Sequence, residues 1–241
     1  MKRLIAKCVK SFIDLIYTPL CIHCEDCLGE RESLLCSTCL NCMELIDLSD
    51  RCPYCFSEGY APEMGPCCQK CLHANSYEPV GRIAAAFDYE GPAASIVKQM
   101  KYGNQPYLAK GASAYLTAQF LRLQWPFPDY IVPMPMPSFR KLERGYNQSA
   151  LLAESMAALL GCRFIDPLRR KNGDFAQAGL NHEQRLQLLP EKFSIKKGTK
   201  LHDATVLLID DVMTTGSSLQ CAAKALAESC PKEIYAMVLC C

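Results

Sequence analysis

Val206-Leu207-Leu208-Ile209-Asp210-Asp211-Val212-Met213-Thr214-Thr215-Gly216-Ser217-Ser218 decides how this chain is read. Four consecutive apolar residues predict a strand over 205–209 buried on both faces, the pattern of a parallel sheet. The strand stops at two carboxylates, and a Thr-Thr-Gly-Ser-Ser turn then runs into an Ala-rich helix over 218–229. Hydroxyls and open backbone N–H groups at a helix start favour a phosphate dianion, and Gly216 lets the backbone approach it closely. Two carboxylates beside such a turn would repel a plain anion. They suit a sugar whose hydroxyls need acceptors and whose other groups bring a divalent cation; a phosphorylated ribose meets both demands. An N-cap before an ordinary helix would explain Ser217 or Ser218 but leave the acidic pair without a reason.

On both sides of this run the same alternation continues. Residues 82–89, 130–133 and 233–239 read as strands, and 93–102, 108–123 and 147–160 as helices. Strands alternating with helices predict a mainly parallel sheet covered on both faces, with ligands beyond the carboxyl ends of its strands.

Upstream of residue 80 the chemistry changes. Of 17 cysteines in 241 residues, 12 fall within 1–71. Eight form four pairs, Cys21-x-x-Cys24, Cys36-x-x-Cys39, Cys52-x-x-Cys55 and Cys68-x-x-Cys71, separated by eleven, twelve and twelve residues. A two-residue gap lets both thiolates of a knuckle face one tetrahedral ion, and two knuckles complete a closed structural zinc site, so about two Zn²⁺ are expected. Sequential pairing makes two ribbons and alternate pairing a cross-brace; spacing allows either. Cys27, Cys42, Cys67, His23 and His73 lie near enough to replace a ligand. A disulfide framework is the competing reading, disfavoured because nothing else marks the chain as secreted.

The first residues do not form a secretory signal. Lys7, Lys10 and Asp14 interrupt any apolar core, and Thr18-Pro19-Leu20 lacks the small residues of a cleavage site. Leu4, Ile5, Cys8, Phe12, Leu15 and Ile16 recur at helical spacing, which predicts an amphipathic docking helix over 1–20, with a membrane-surface helix as the alternative. A cytoplasmic location follows, where thiols stay reduced unless metal takes them. Lys and Arg number 26 against 25 Asp and Glu, which excludes a histone-like binder, and the absence of any run of about 18 apolar residues excludes a membrane span. Residues 1–71 hold 7 Lys and Arg against 10 Asp and Glu, and each four-thiolate Zn²⁺ adds a formal charge of about −2. An acidic head of this kind suits a structural or protein-docking role better than contact with nucleic acid.

The thirteen-residue run resembles the phosphoribosyl pyrophosphate (PRPP) signature of type I phosphoribosyltransferases. Val132-Pro133-Met134-Pro135-Met136-Pro137, followed by Arg140, Arg144, Gly145, Tyr146, Asn147 and Gln148, is similar to the V-P-V-P…R…R-G-[FY]-N-Q block of the competence protein F (ComF) family. Lys98-Gln99-Met100-Lys101-Tyr102-Gly103 is similar to its LKY-x-G element, and the cysteine-rich head with its preceding helix is similar too. Gln177-Ala178-Gly179-Leu180 with Arg185 resembles the family's Q-T-G-L-S…R loop, with Ala178 in place of a hydroxyl residue and Arg185-Leu186-Gln187 departing from the R-R-x-N-V continuation.

The resemblance implies an α/β fold of the type I phosphoribosyltransferase kind over 80–241, preceded by a zinc-ribbon-like module over 21–75. It implies that Asp210 and Asp211 hold the ribose hydroxyls of PRPP, and that Thr214, Thr215, Gly216, Ser217 and Ser218 hold its 5′-phosphate. Pro133, Met134, Arg140 and Arg144 would meet the pyrophosphate, with Mg²⁺ arriving on PRPP. Two functions remain open: a PRPP-dependent transferase acting on an unidentified base, and a PRPP-binding module that handles single-stranded DNA with uptake-machinery proteins in natural transformation. Basic runs at 140–144, 163–171 and 192–200 could serve a single strand or be solvated surface.

Overall fold

The computed structural model describes residues 19–29, 34–73, 79–170 and 193–241. Residues 1–18 of the expected N-terminal helix and the segment containing Gln177, Ala178, Gly179, Leu180 and Arg185 lie outside them; Pro19 and Leu20, the last two residues of that expected helix, are not helical, and Leu20 bridges Cys27. Strands β1 (Arg82–Phe87), β2 (Tyr130–Pro133), β3 (Arg163–Phe164), β6 (Thr205–Val212) and β7 (Glu233–Cys240) make one sheet in the order β1-β7-β6-β2-β3. Every pairing in it is parallel. From Val206 to Ile209 and from Ile234 to Leu239 consecutive side chains are buried, so both faces are covered, as the unbroken apolar runs required. A separate antiparallel pair, β4 (Leu168–Arg170) with β5 (Phe193–Ile195), departs from the all-parallel pattern.

β6 runs three residues further than its apolar stretch predicts. Asp210 pairs with Val238 and Val212 with Cys240, so the ladder to β7 carries two carboxylates of low strand propensity into the sheet. The acidic pair is thereby held by strand geometry. α3 (Gly91–Tyr102), α4 (Leu108–Leu123), α6 (Gln148–Leu160) and α7 (Ser217–Ala227) follow the predicted helices closely. α6 buries Leu152, Ala153 and Met156 over β2 and β6. Asn147 caps it by accepting from Ser149 N at 3.2 Å, and Gly161 ends it in the left-handed region. α5 (Ser138–Arg144) is a short helix that the Pro-rich context did not predict; Pro137 precedes it and Gly145, at φ +79°, stops it.

The cysteine-rich head, with α1 (Ser37–Asn41) and α2 (Gln69–His73), covers the open edge of β1. Ile83 N–H donates to the Tyr54 carbonyl at 2.7 Å and Ile46 N–H to the Ala86 carbonyl at 3.0 Å. The buried amide of Gln119 donates to the carbonyls of Ile46 and Ala85 at 3.1 and 3.2 Å. An unpaired edge strand would otherwise invite association. Met43, Ile46 and Phe56 join the core of the sheet, while Cys21, Cys36 and Cys39 form a small separate cluster with Leu28 and Leu35. Among the described residues no helix is long and apolar enough to cross a membrane.

Candidate functional site

At the carboxyl end of β6, Asp210 Oδ1 accepts from Ser149 Oγ and from the Asp211 backbone N–H, both at 2.8 Å. Asp211 Oδ1 lies 2.9 Å from Lys101 Nζ, and both side chains are largely buried. Neighbouring positions on a strand point to opposite sides, so the two carboxylates have different partners. Asp210 keeps some surface at the cavity but is otherwise enclosed. Burial first, and then the charge of Asp211, push its carboxyl up to about 7, against the hydrogen bonds from Ser149 and Asp211 and the charge of Lys101.

The Tyr-Asn-Gln segment that starts α6 builds this site without touching the carboxylates. Tyr146 OH and Gln148 Nε2 both donate to the Met100 carbonyl, at 2.8 and 3.0 Å, securing the last turn of α3 beside Lys101. Asn147 Nδ2 donates to the Met134 carbonyl at 2.9 Å, and Met134 N–H donates to the Ile209 carbonyl at 2.8 Å. Both backbone groups of Met134 are therefore engaged, which fixes the turn after β2 against β6. Pro133 ends β2, buried and paired with Ile209.

A cavity of about 140 Å³ contains Asp210, Asp211, Lys101 and Ser149 together with Arg140, Arg144, Met134 and Ser218. The two arginines project from α5, and Arg144 also packs on the Tyr102 ring, 5.1 Å from its centroid. Arg170, from β4, lines the same cavity. Thr214, Thr215, Gly216 and Ser217 border a second, larger cavity of about 930 Å³ that reaches Ser57 and Lys70 of the head. The hydroxyl turn thus stands between two cavities, with Ser218 on one side and its four preceding residues on the other. Gly216 has φ +74°, a conformation that favours glycine, while Thr215 Oγ1 lies 2.9 Å from Ser217 Oγ. Ser149 was not singled out by sequence, although a hydroxyl following Asn147-Gln148 at a helix start was a usable signal for it. Arg170 was marked only as part of the basic run 163–171, not as a residue of this cavity.

The paired cysteines assemble sequentially. Cys21, Cys24, Cys36 and Cys39 form one cluster and Cys52, Cys55, Cys68 and Cys71 another, with all sulfurs of a cluster within 4.8 Å of one another. Cys24–Cys36, Cys55–Cys68 and Cys52–Cys71 sulfur distances are 3.6, 3.5 and 3.9 Å. A tetrahedron with Zn–S of about 2.3 Å has edges of about 3.8 Å, so both clusters fit the ion; a disulfide would need about 2.0 Å. Cys39 and Cys68 N–H groups donate to the sulfurs of Cys36 and Cys52, bonds that stabilise metal-bound thiolate. Cys27, Cys42 and Cys67 belong to neither cluster. His23 Nδ1 is 3.0 Å from Ser95 Oγ on α3, a contact between head and sheet domain. The side chain of His73 lies outside those described.

The family described as phosphoribosyl transferase domain matches residues 147–241, the part that contains α6, β6, the acidic pair and the hydroxyl turn. The parallel sheet and this match make the sheet domain phosphoribosyltransferase-like, and an N-terminal head of two four-cysteine clusters precedes it. Within that class, the resemblance to the competence protein F family is borne out over most of the chain. The chain is 29% identical to Competence protein F of Haemophilus influenzae over 223 residues, covering 89% of this chain and 93% of that one. It is 28% identical to DNA utilization protein YhgH of Salmonella typhi, covering 92% and 96%, and 28% identical to Competence protein ComFC of Streptococcus pneumoniae, covering 86% and 87%.

Proposed function

We propose that this protein binds PRPP, carried with Mg²⁺, and uses that site in the cytoplasmic handling of single-stranded DNA during DNA uptake. The observation that carries the reading is the acidic pair at the end of β6, each carboxylate with its own partner and both in one cavity with Arg140 and Arg144. Asp210 and Asp211 supply acceptors for the ribose diol. Residues 214–218 supply N–H and hydroxyl donors for the 5′-phosphate, and the arginines offer forked donors to the pyrophosphate. The turn from Met134 to Pro137, which follows Pro133, would form the floor under that group. The relatives' names concern competence and DNA utilization, which supports the nucleic-acid context. Zinc in both cysteine clusters would hold the head against β1, a structural role.

The second reading is transfer of the phosphoribosyl group to a base. The phosphoribosyl transferase match favours it, and no described residue of the site selects an acceptor. Titration calorimetry with PRPP and Mg²⁺ tests the first step: micromolar binding that disappears on omitting Mg²⁺ supports the site, and no heat at millimolar PRPP refutes it. A screen for pyrophosphate release across nucleobases then separates the readings, because release with any base makes the protein a transferase.

A further inference from the structure

Beside the first cysteine cluster an apolar groove of about 280 Å³ runs between the head and the helices α3 and α4. Ile22, Leu40 and Met43 line it from the head, and Ile96, Leu108 and Tyr115 from the helices. Leu40 is 51% exposed at its rim. Gly111 lies in the wall, and a Cβ built there would meet nothing within 4 Å. The buried cysteines of the first cluster form a small core of their own, and Ile22, Leu34 and Leu35 connect this part of the head to the core of the sheet domain, so the groove lies along that junction. The recess is apolar and open to solvent at Leu40, so an apolar side chain can enter it.

We infer that the occupant is the chain's own first 18 residues, docked as an amphipathic helix. Position argues for it first: the described chain begins at Pro19, and Ile22 is already part of the groove wall. The segment therefore enters beside the groove.

Shape argues second. At about 100° per residue, Leu4, Ile5, Cys8, Phe12, Leu15 and Ile16 fall within an arc of about 120°, with Lys2, Arg3, Lys7, Lys10 and Asp14 on the opposite side. A dry cavity of about 150 Å³ accepts a benzene ring, so the groove has room for the Phe12 ring and a neighbouring aliphatic side chain.

Charge argues third. Residues 1–18 carry four Lys and Arg against one Asp, whereas residues 19–71 carry three against nine acidic residues. Glu44, next to Met43 in the chain, lines a neighbouring recess with Asp47 and Glu90, whereas α3 and α4 carry only basic charges, Lys110 among them beside Gly111. The basic face of the helix would therefore turn toward the acidic head and away from α4, an arrangement that orients docking. Docked this way, the segment would add to the contacts that Ile22, Leu34 and Leu35 already make between the first cysteine cluster and the sheet domain's core.

The test is photo-crosslinking in the full-length, zinc-loaded chain with Leu40→p-benzoylphenylalanine, using a mixture of ¹⁴N- and ¹⁵N-labelled protein at submicromolar concentration. The expected product is an intrachain crosslink to residues 4–16, identified by mass spectrometry. Phe12→Asp, which places a charge in the apolar face, should reduce that product about tenfold. Gly111→Leu fills the groove from a helical position and should reduce it as well. Mixed-isotope crosslinks would assign the groove to a second copy and overturn the proposal. No crosslink to the segment would overturn it equally, as would disappearance of the intrachain product on adding phosphatidylglycerol vesicles, which would make the helix a membrane-surface element.

Discussion

Ser149 Oγ, at the start of α6, donates to Asp210 Oδ1 at 2.8 Å, joining the helix that follows the arginine-bearing segment to the strand that ends in the acidic pair. The same carboxyl is pushed up to about 7 by burial and by Asp211, with Ser149 opposing. Removing the hydroxyl therefore acts on both the position and the ionisation of Asp210. Ser149→Ala should weaken PRPP binding about five- to tenfold without loss of fold, measured by calorimetry at pH 7. Unchanged affinity would show that Asp210 does not need this donor.

The Asp210 shift has a definite sign. A carboxyl raised from 3.8 to about 7 on folding contributes stability that is fully present below the unfolded value and is lost as pH rises through about 7. Asp210→Asn should flatten that dependence and raise stability at pH 8 by about 1–2 kcal/mol, while Asp210→Asn with Asp211→Asn abolishes PRPP binding. In the native chain, PRPP affinity should rise through pH 7 as Asp210 ionises. Urea melts and calorimetry at pH 5.5, 7 and 8.5 would check both; a native chain most stable at pH 8.5 contradicts the assignment.

Zinc analysis of protein prepared without chelator should give two ions per chain. The Tyr54 carbonyl, inside the Cys52-x-x-Cys55 knuckle, accepts from Ile83 on β1, so the second site and the sheet edge are linked. Cys55→Ser should speed hydrogen exchange of the Ile83 amide, and Cys24→Ser, in the other cluster, should leave it slow. Equal effects from the two variants would remove this link.

Gly216→Ala places a Cβ at φ +74°, with Met213 and Ile83 at ordinary contact distance. The cost to stability should be about 1 kcal/mol, from backbone strain rather than overlap. Binding of ribose 5-phosphate should fall more than stability does, because the N–H groups of the turn are redirected. A fall in binding no larger than the fall in stability would mean the turn does not hold the phosphate.

If single-stranded DNA is bound through α5, Arg140→Ala with Arg144→Ala should lower affinity and reduce the salt slope by about 0.7 for each phosphate that is no longer neutralised. PRPP and Mg²⁺ should compete with the strand, since both arginines share a cavity with the acidic pair. Fluorescence anisotropy across a salt series decides this. Additive binding of both ligands would place the strand elsewhere.

The order of amino acids was enough to specify the parallel α/β fold, because the apolar run at 206–209 can only be satisfied by cover on both faces, and it named the acidic pair and the hydroxyl turn as neighbours in the chain. It also predicted the four cysteine knuckles, since a two-residue spacing is local geometry. Which knuckles pair was settled in three dimensions, because spacing satisfies ribbons and cross-brace alike and only the path of the chain brings Cys36 to Cys24 and Cys68 to Cys55. Folding likewise extended β6 through Val212, by the ladder to β7, and brought Lys101 and Ser149 to carboxylates more than sixty residues away. Short-range pattern encodes elements and turns; the partners that set the charge state of Asp210 and Asp211 come from packing across the sheet, which no local spacing records.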